Sequence, residues 1–237
     1  MNQTDREIFF LWNDDKHSPA FNMALDEELL NESVRLNSCI LRFYEWEAKA
    51  MSIGYIQNFS QTCKEGYELI RRPTGGGVVF HDIDFTYTVI IPSGHRIEKM
   101  SREESYYIIH KIIIKALDSI GLAAQLVSGS TVAKDKMSMQ CFTAPVKFDI
   151  SSRNGDGNSK IAGAAQRRTK LGILHQGSIV LENIENIKAS IKNNIIKAFE
   201  TELNVRFEKF KPEHDFLLRA EELADNKYSK NSWNKMR

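Results

Sequence analysis

Cysteine is scarce in this chain: 237 residues contain three, Cys39, Cys63 and Cys141, and no two form a CxxC pair. An odd number without that spacing argues against a disulfide framework and against a zinc site, and suits a reducing cytoplasm. Neither sign of charge is in excess. Lys and Arg number 32 against 31 Asp and Glu, a formal net charge of +1, so nothing global draws the chain to nucleic acid or a membrane surface. No apolar run approaches the roughly 20 residues of a membrane span, and the polar start, Met1 to Glu7, has no signal-peptide core. Also missing are GxxxxGK with Ser or Thr, GxGxxG after a strand, HExxH and GxSxG. Their absence removes the standard nucleotide fingerprints, the zinc-peptidase helix and the hydrolase nucleophile elbow. No repeat, low-complexity tract or linker divides the sequence, so residues 1–237 are expected to form one domain.

What the chain does have is Arg71-Arg72-Pro73-Thr74-Gly75-Gly76-Gly77-Val78-Val79-Phe80-His81-Asp82. Three consecutive glycines strip the side chains from one piece of backbone, and a ligand can then lie against bare N–H and C=O groups. Two arginines precede them and a β-branched pair follows. A loop between strands, cationic on one side, is the simplest picture; a tight turn with a flexible tip is its plainer rival.

The flanking elements read in order. Ile8 to Trp12 is a short buried strand. Ser18-Pro19 caps a helix that sets Phe21, Leu25 and Leu29 on one face, with Asn22, Asp26 and Glu27 on a solvated side. Ile40 to Trp46 and Met51 to Ile56 are strands, and Gly54 permits close approach between them. Phe85, Tyr87, Val89 and Ile91 alternate with Thr86, Thr88 and Ile90 in a further strand. Ser101 and Glu104 form a capping box on a helix carrying Ile109, Ile113, Ala116 and Ile120, with His110 on its surface. Gln125 to Ser138 reads as a strand and a loop. Phe142 to Ile150 and Lys160 to Gln166 read as a long hairpin with a turn-rich tip. Ile173 to Leu181 is a strand, Ile187 to Ala198 lie in a helix, and Val205 and Phe207 begin a last strand before a charged helix around Phe216. Strands that arrive in hairpins imply a mixed α/β fold of the α+β kind, mostly antiparallel.

Few residues could carry chemistry. Cys39 and Cys63 read as buried apolar cysteines. Cys141 sits at the mouth of a strand with no histidine beside it in sequence, so any base that makes it a thiolate must come from the fold. Lys160 is followed by Ala162, Gly163, Ala164 and Ala165, whose small side chains leave room above a sheet; a lysine there could face a developing oxyanion or a phosphate, or simply point into water. His175 and Gly177 interrupt an apolar strand. A central glycine often marks close approach, and His175 suits either a satisfied core position or a general base. His81 with Asp82 could fix the Gly loop.

Three of these pieces, in this order, resemble the lipoate/biotin protein ligase superfamily: Arg71 to Gly77 with His81-Asp82, Lys160-Ile161-Ala162-Gly163-Ala164-Ala165-Gln166, and His175-Gln176-Gly177-Ser178-Ile179. The resemblance runs from Asn22-Met23-Ala24-Leu25-Asp26 to Trp233-Asn234. It implies a mixed, mostly antiparallel sheet with flanking helices, like the biotinyl/lipoyl-ligase catalytic domain and related to class II synthetases. It also implies a tunnel for an acyl chain, with Arg71, Arg72, Thr74, Gly75, Gly76, Gly77, His81, Gly163, His175 and Gly177 around the substrate and Lys160 facing the acyl carbonyl. The implied partner is a lipoyl domain, of a glycine cleavage H protein or a 2-oxoacid dehydrogenase E2, whose lysine receives the acyl group. A monomer is expected, and no metal is implied in the protein itself.

Two chemistries share that scaffold. Ligases activate free lipoate with ATP and Mg; transferases take octanoyl or lipoyl already held as a thioester on acyl carrier protein or as an amide on another lipoyl domain, and one branch passes it through an enzyme cysteine without a cofactor. Cys141-Phe142 with Pro145 and Phe148 resembles that cysteine segment. His81-Asp82-Ile83-Asp84-Phe85-Thr86-Tyr87 resembles the transferase pattern, where ligases usually carry Gly-Asn. The segment after Leu181 is short, and the accessory domain of many ligases is missing. Gly77 stands where cysteine transferases often have arginine, which is ligase-like. The expectation is therefore octanoyl or lipoyl transfer through a Cys141 thioester with Lys160 as oxyanion donor. The alternative is an ATP-dependent ligase in which Arg71, Arg72 and Lys160 hold carboxylate and phosphates. Retention of both Cys141 and Lys160 argues against a non-catalytic acyl-binding subunit.

Overall fold

A computed structural model describes residues 6–59, 64–127, 149–153 and 159–236. Cys63, Cys141 and most of the expected strand before Ile150 lie outside the described residues. The elements are β1 (Glu7–His17), α1 (Pro19–Leu36), β2 (Ile40–Trp46), β3 (Ala50–Ile53), β4 (Glu68–Arg71), β5 (Val79–His81), β6 (Asp84–Pro92), α2 (Arg102–Asp118), β7 (Ala124–Leu126), β8 (Ile150–Ser152), β9 (Lys160–Thr169), β10 (Gly172–Val180), α3 (Ile184–Leu203), β11 (Val205–Lys209), α4 (His214–Leu223) and α5 (Asn231–Asn234), with a π-helical turn at Ala224–Tyr228.

Both capping signals are realised. Ser18 Oγ accepts from the Phe21 N–H at 3.3 Å, with Pro19 opening α1. On α2, Ser101 Oγ accepts from the Glu104 N–H at 3.1 Å and the Glu104 carboxylate accepts from the Ser101 N–H at 2.9 Å. Eight strands form one sheet in the order β11-β1-β2-β6-β10-β9-β8-β7, and β4-β3-β5 form a small second sheet. β1 runs parallel to β2 and β11, while β2, β6, β10, β9, β8 and β7 are joined by antiparallel pairings.

The middle of the large sheet is covered on both faces. Phe85, Tyr87, Val89 and Ile91 of β6 pack toward Ile109, Ile113, Ile191 and Ile195 of α2 and α3, while Ile90 packs with Leu25 and Leu29 of α1. The Phe/Thr alternation of β6 therefore does not mark a solvated face: Thr86 and Thr88 are buried and enter polar networks under α1. That same burial corrects two readings of the sequence. Asn22 and Asp26 are fully buried rather than on a solvated side of α1, because buried Arg42 on β2 meets them. His110 is buried rather than on the surface of α2, because the helix lays it against the rings of Tyr106 and His175. Among the described residues no helix is long and apolar enough to cross a membrane.

Candidate active site

The Gly loop joins β4 to β5 and is clamped against the β3 end of the small sheet. Gly54 N–H is tied to Gln57 Oε1 at 2.8 Å and the Tyr55 N–H donates to the Thr74 carbonyl at 2.8 Å. A Cβ on Gly54 would stand 2.2 Å from the Gly76 carbonyl oxygen. The close approach that Gly54 permits is thus to the Gly loop rather than to β2. Gly76 itself has φ of 85°, in the left-handed region. Gly75 has open space where its side chain would be.

The two arginines do different work. Arg71 is fully buried. Its guanidinium donates to the carbonyls of Gly54, Tyr55, Gln57, Trp233 and Asn234 at 2.7 to 3.1 Å, stapling the chain before the Gly loop to α5. Arg72 wraps the loop itself, donating to the carbonyls of Gly75 and Gly77 at 2.6 Å and to Ser52 O at 3.0 Å. Of the pair, Arg72 lines the cavity described next and Arg71 does not.

That cavity lies between the two sheets; about 40 Å³ of it admits the centre of a water-sized sphere, and its space including the part open to solvent is about 450 Å³. Met23 of α1, Tyr44 and Trp46 of β2 and Val79 of β5 supply apolar surface, and the small residues Gly163, Ala164 and Ala165 of β9 with Gly177 of β10 make room. Polar groups come from Ser52, Arg72, His81, Thr86, Gln176 and Ser178.

Lys160 opens β9 and turns inward. Its ammonium pairs with Asp149 Oδ2 at 2.8 Å, both side chains 1% exposed, so the picture of a hairpin lysine in water is wrong. A Cβ on Gly163 would lie 2.6 Å from Lys160 Cε and 2.7 Å from Nζ: the lysine occupies the room that Gly163, itself a lining residue of the cavity, leaves. Asp149 has no motif around it. Only the hairpin register, Ile150 opposite Ala162, brings it near.

His81 is buried and lines the cavity. Its Nδ1 contacts Asp84 Oδ2 and its Nε2 contacts Ser52 Oγ, each at 2.8 Å, and its ring stacks on Trp46 at 4.1 Å between centroids. Asp84 Oδ2 also accepts from Thr86 Oγ1 at 2.9 Å and Ser178 Oγ at 2.7 Å. Burial pushes the Asp84 carboxyl up, but the charge and hydrogen bond of His81 with those two hydroxyls outweigh it and hold it below the usual carboxylate value.

A second network locks the loop to the sheet. Thr74 Oγ1 donates to Gln176 Oε1 at 2.7 Å, and Gln176 Nε2 donates to Asp26 Oδ2 at 2.8 Å. Asp26 also accepts from Arg42 at 2.7 Å, from Thr88 at 2.8 Å and from Tyr44 at 3.1 Å. Arg42 in turn donates to Asp14 Oδ2 at 2.9 Å and stacks on Tyr44 at 4.0 Å. The signal that could have exposed this network was Arg42 itself, an arginine amid the apolar run of β2, which burial obliges to find counter-charges.

His175 lies on the other face of β10. It is fully buried, accepts at Nδ1 from Gln166 Nε2 at 3.1 Å and sits among the rings of Tyr87, Tyr106 and His110. Burial, reinforced by the charge of His110, lowers its pKa well below the ordinary imidazole value. Gly177 makes room for Tyr87, whose Cζ would stand 2.2 Å from an added Cβ. Cys39, just before β2, is buried in the apolar core, and burial, then the charge of Glu7, raises its thiol well above the usual value. Among the described residues no cluster of His, Cys, Asp and Glu could hold a metal.

The large mixed sheet with its flanking helices is the fold of solved lipoate protein ligases. A bi-partite lipoate protein ligase from Thermoplasma acidophilum, studied with its E2 lipoyl domain, superposes with TM-score 0.75 at 22% identity, covering 97% of this chain and 96% of that one. Lipoate-protein ligase A bound with ATP gives TM-score 0.75 at 23% identity over 96% and 98%. The chain belongs to the lipoyl protein ligase A/B catalytic domain family, whose profile matches residues 18–204. Among its relatives is octanoyltransferase LipM of Anoxybacillus flavithermus, 31% identical over 97% of this chain and 99% of the relative. That of Bacillus subtilis is 32% identical over 92% and 94%.

Proposed function

We propose that this protein is an octanoyltransferase that moves an octanoyl group from a thioester donor to the lysine of a lipoyl domain. The LipM relatives, which match it nearly end to end, support the reaction class. The observation that carries the site is the Lys160 ammonium, fixed by Asp149 beside Gly163. In the proposed reaction the Cys141 thiolate attacks the donor carbonyl and expels the donor thiolate, leaving an S-octanoyl enzyme. The acceptor amine then attacks that thioester, the C–S bond breaks, and an amide remains. Thiolate suits both roles, as nucleophile and as leaving group. Lys160 faces the oxyanion of each tetrahedral intermediate, where removal of one such donor typically costs about 3–4 kcal/mol.

Arg72, which wraps the Gly loop, lines the cavity around the acyl chain, with Met23 and Trp46 as its apolar surface. Arg71 serves by holding that loop in place. An acyl carrier protein is the donor that fits a thioester, and an H protein or an E2 supplies the lipoyl domain. A donor already activated as a thioester needs neither ATP nor Mg. The reading is tested by incubating the protein with octanoyl-acyl carrier protein alone. The expected result is an octanoyl adduct on the intact protein that maps to Cys141 and is absent from Cys141→Ala. Unimpaired transfer by that variant would refute the covalent route.

A further inference from the structure

Ser52, His81 and Asp84 stand in line as hydroxyl, imidazole and carboxylate, with both links 2.8 Å long. The order is that of a proton relay. With Nδ1–H donated to the Asp84 carboxylate, the Nε2 lone pair faces the Ser52 hydroxyl, and Ser52 and His81 both line the cavity that Gly163 opens beside Lys160. His81 is the one histidine of that lining among the described residues.

The transfer reaction needs such a group. The acceptor lysine attacks as the neutral amine, the minor form at neutral pH for a group of ordinary pKa about 10.4, and attack leaves one proton to be lost from nitrogen. We propose that His81 takes that proton through Ser52 Oγ, an assignment that rests on the acyl-transfer reading above. As the C–N bond forms, the amine proton passes to Ser52, whose own proton passes to His81 Nε2. When the C–S bond breaks, the imidazolium releases its proton to solvent and the departing thiolate takes one up, so no net proton is gained or lost. Asp84 fixes the ring and balances its transient charge.

The charges facing His81 favour this sequence. Asp84 of β6, Asp82 beside it, Glu45 of β2 and Glu185 of α3 border a recess that shares His81 and Trp46 with the cavity, alongside Lys16 of β1 and Lys188 of α3. Lys188 is paired with Glu185 at 2.8 Å and Lys16 with Glu45 at 3.3 Å. Arg72 approaches from the loop side, donating to Ser52 Oγ at 3.2 Å.

The test compares wild type, His81→Ala and His81→Gln with octanoyl-acyl carrier protein and a lipoyl domain, following thiol release and amide formation separately. Both variants are expected to cleave the donor thioester yet form amide between about a hundredfold and ten-thousandfold more slowly. Imidazole should restore His81→Ala, since the slot against Trp46 is then vacant, and should not restore His81→Gln. The proposal is overturned if either variant forms amide at the wild-type rate, if imidazole leaves the Ala variant unchanged, or if octanoate is found esterified to Ser52. Failure of wild type itself to use the thioester would instead remove the acyl-transfer reading, and this relay with it.

Discussion

Lys160 and Asp149 form a buried ion pair at 2.8 Å, with both side chains 1% exposed. Stability and activity should part company here. Lys160→Met leaves a buried carboxylate facing an apolar side chain, which is expected to cost about 3–5 kcal/mol and to slow octanoyl transfer by about 10²–10³-fold. Lys160→Met combined with Asp149→Leu removes both charges. Urea midpoints should return toward wild type in the double variant while the transfer rate does not. Recovery of the rate would show that the lysine is merely structural.

Gly163 and Gly177 are both crowded, but by different atoms. A methyl on Gly163 meets the far end of a flexible lysine, whereas one on Gly177 meets the ring of Tyr87 at 2.2 Å. Gly163→Ala is therefore expected to keep its melting temperature and lose transfer activity, because Nζ is displaced. Gly177→Ala is expected to be destabilised by about 1–3 kcal/mol, the usual cost of overpacking. Thermal melts beside initial rates separate the two; the reverse pattern would contradict this placement of Lys160.

His175 gives stability a pH slope. Burial, then the charge of His110, depresses its pKa in the folded protein, while the unfolded chain takes up a proton near the ordinary value of about 6.5. Between those two values the unfolded state binds more protons, so the stabilisation is present above about pH 6.5 and is lost as pH falls. Wild type should lose more stability than His175→Gln between pH 7.5 and 5.5. Denaturant titrations at the two pH values check this, and parallel slopes would count against it.

Much of the fold was legible because its signals are local. Ser18-Pro19 and Ser101 with Glu104 predict helix starts from contacts three residues away, and the β6 alternation predicts a strand wherever it lies. The Gly loop, Lys160 and Gly163 were likewise visible as unusual residue choices. What escaped depends on partners far along the chain. Asn22 and Asp26 look like a polar face of α1 until Arg42 and Gln176 reach them. Asp149 means nothing until the β8–β9 hairpin closes, and Ser52 is an ordinary strand serine until β5 brings His81 beside it. Arg71 was readable as cationic. That its charge is spent on backbone carbonyls 14 to 163 residues away was not.

That use of Arg71 is itself testable. A lysine cannot reproduce a planar fork serving five carbonyls, so Arg71→Lys is expected to cost on the order of 3 kcal/mol and to raise proteolytic nicking of the Gly loop. Limited proteolysis with and without octanoate would follow it. Wild-type stability in this variant would mean that the α5 staple is not needed.

The central claim, transfer from a thioester, is met most directly by choice of donor. Purified protein is mixed with a lipoyl domain and either octanoyl-acyl carrier protein without nucleotide or free octanoate with ATP and Mg, and the lipoyl domain is weighed by intact mass spectrometry. Octanoylation in the first mixture and none in the second is the expected result. Modification only in the mixture containing free acid and ATP would contradict thioester transfer and make the protein a ligase.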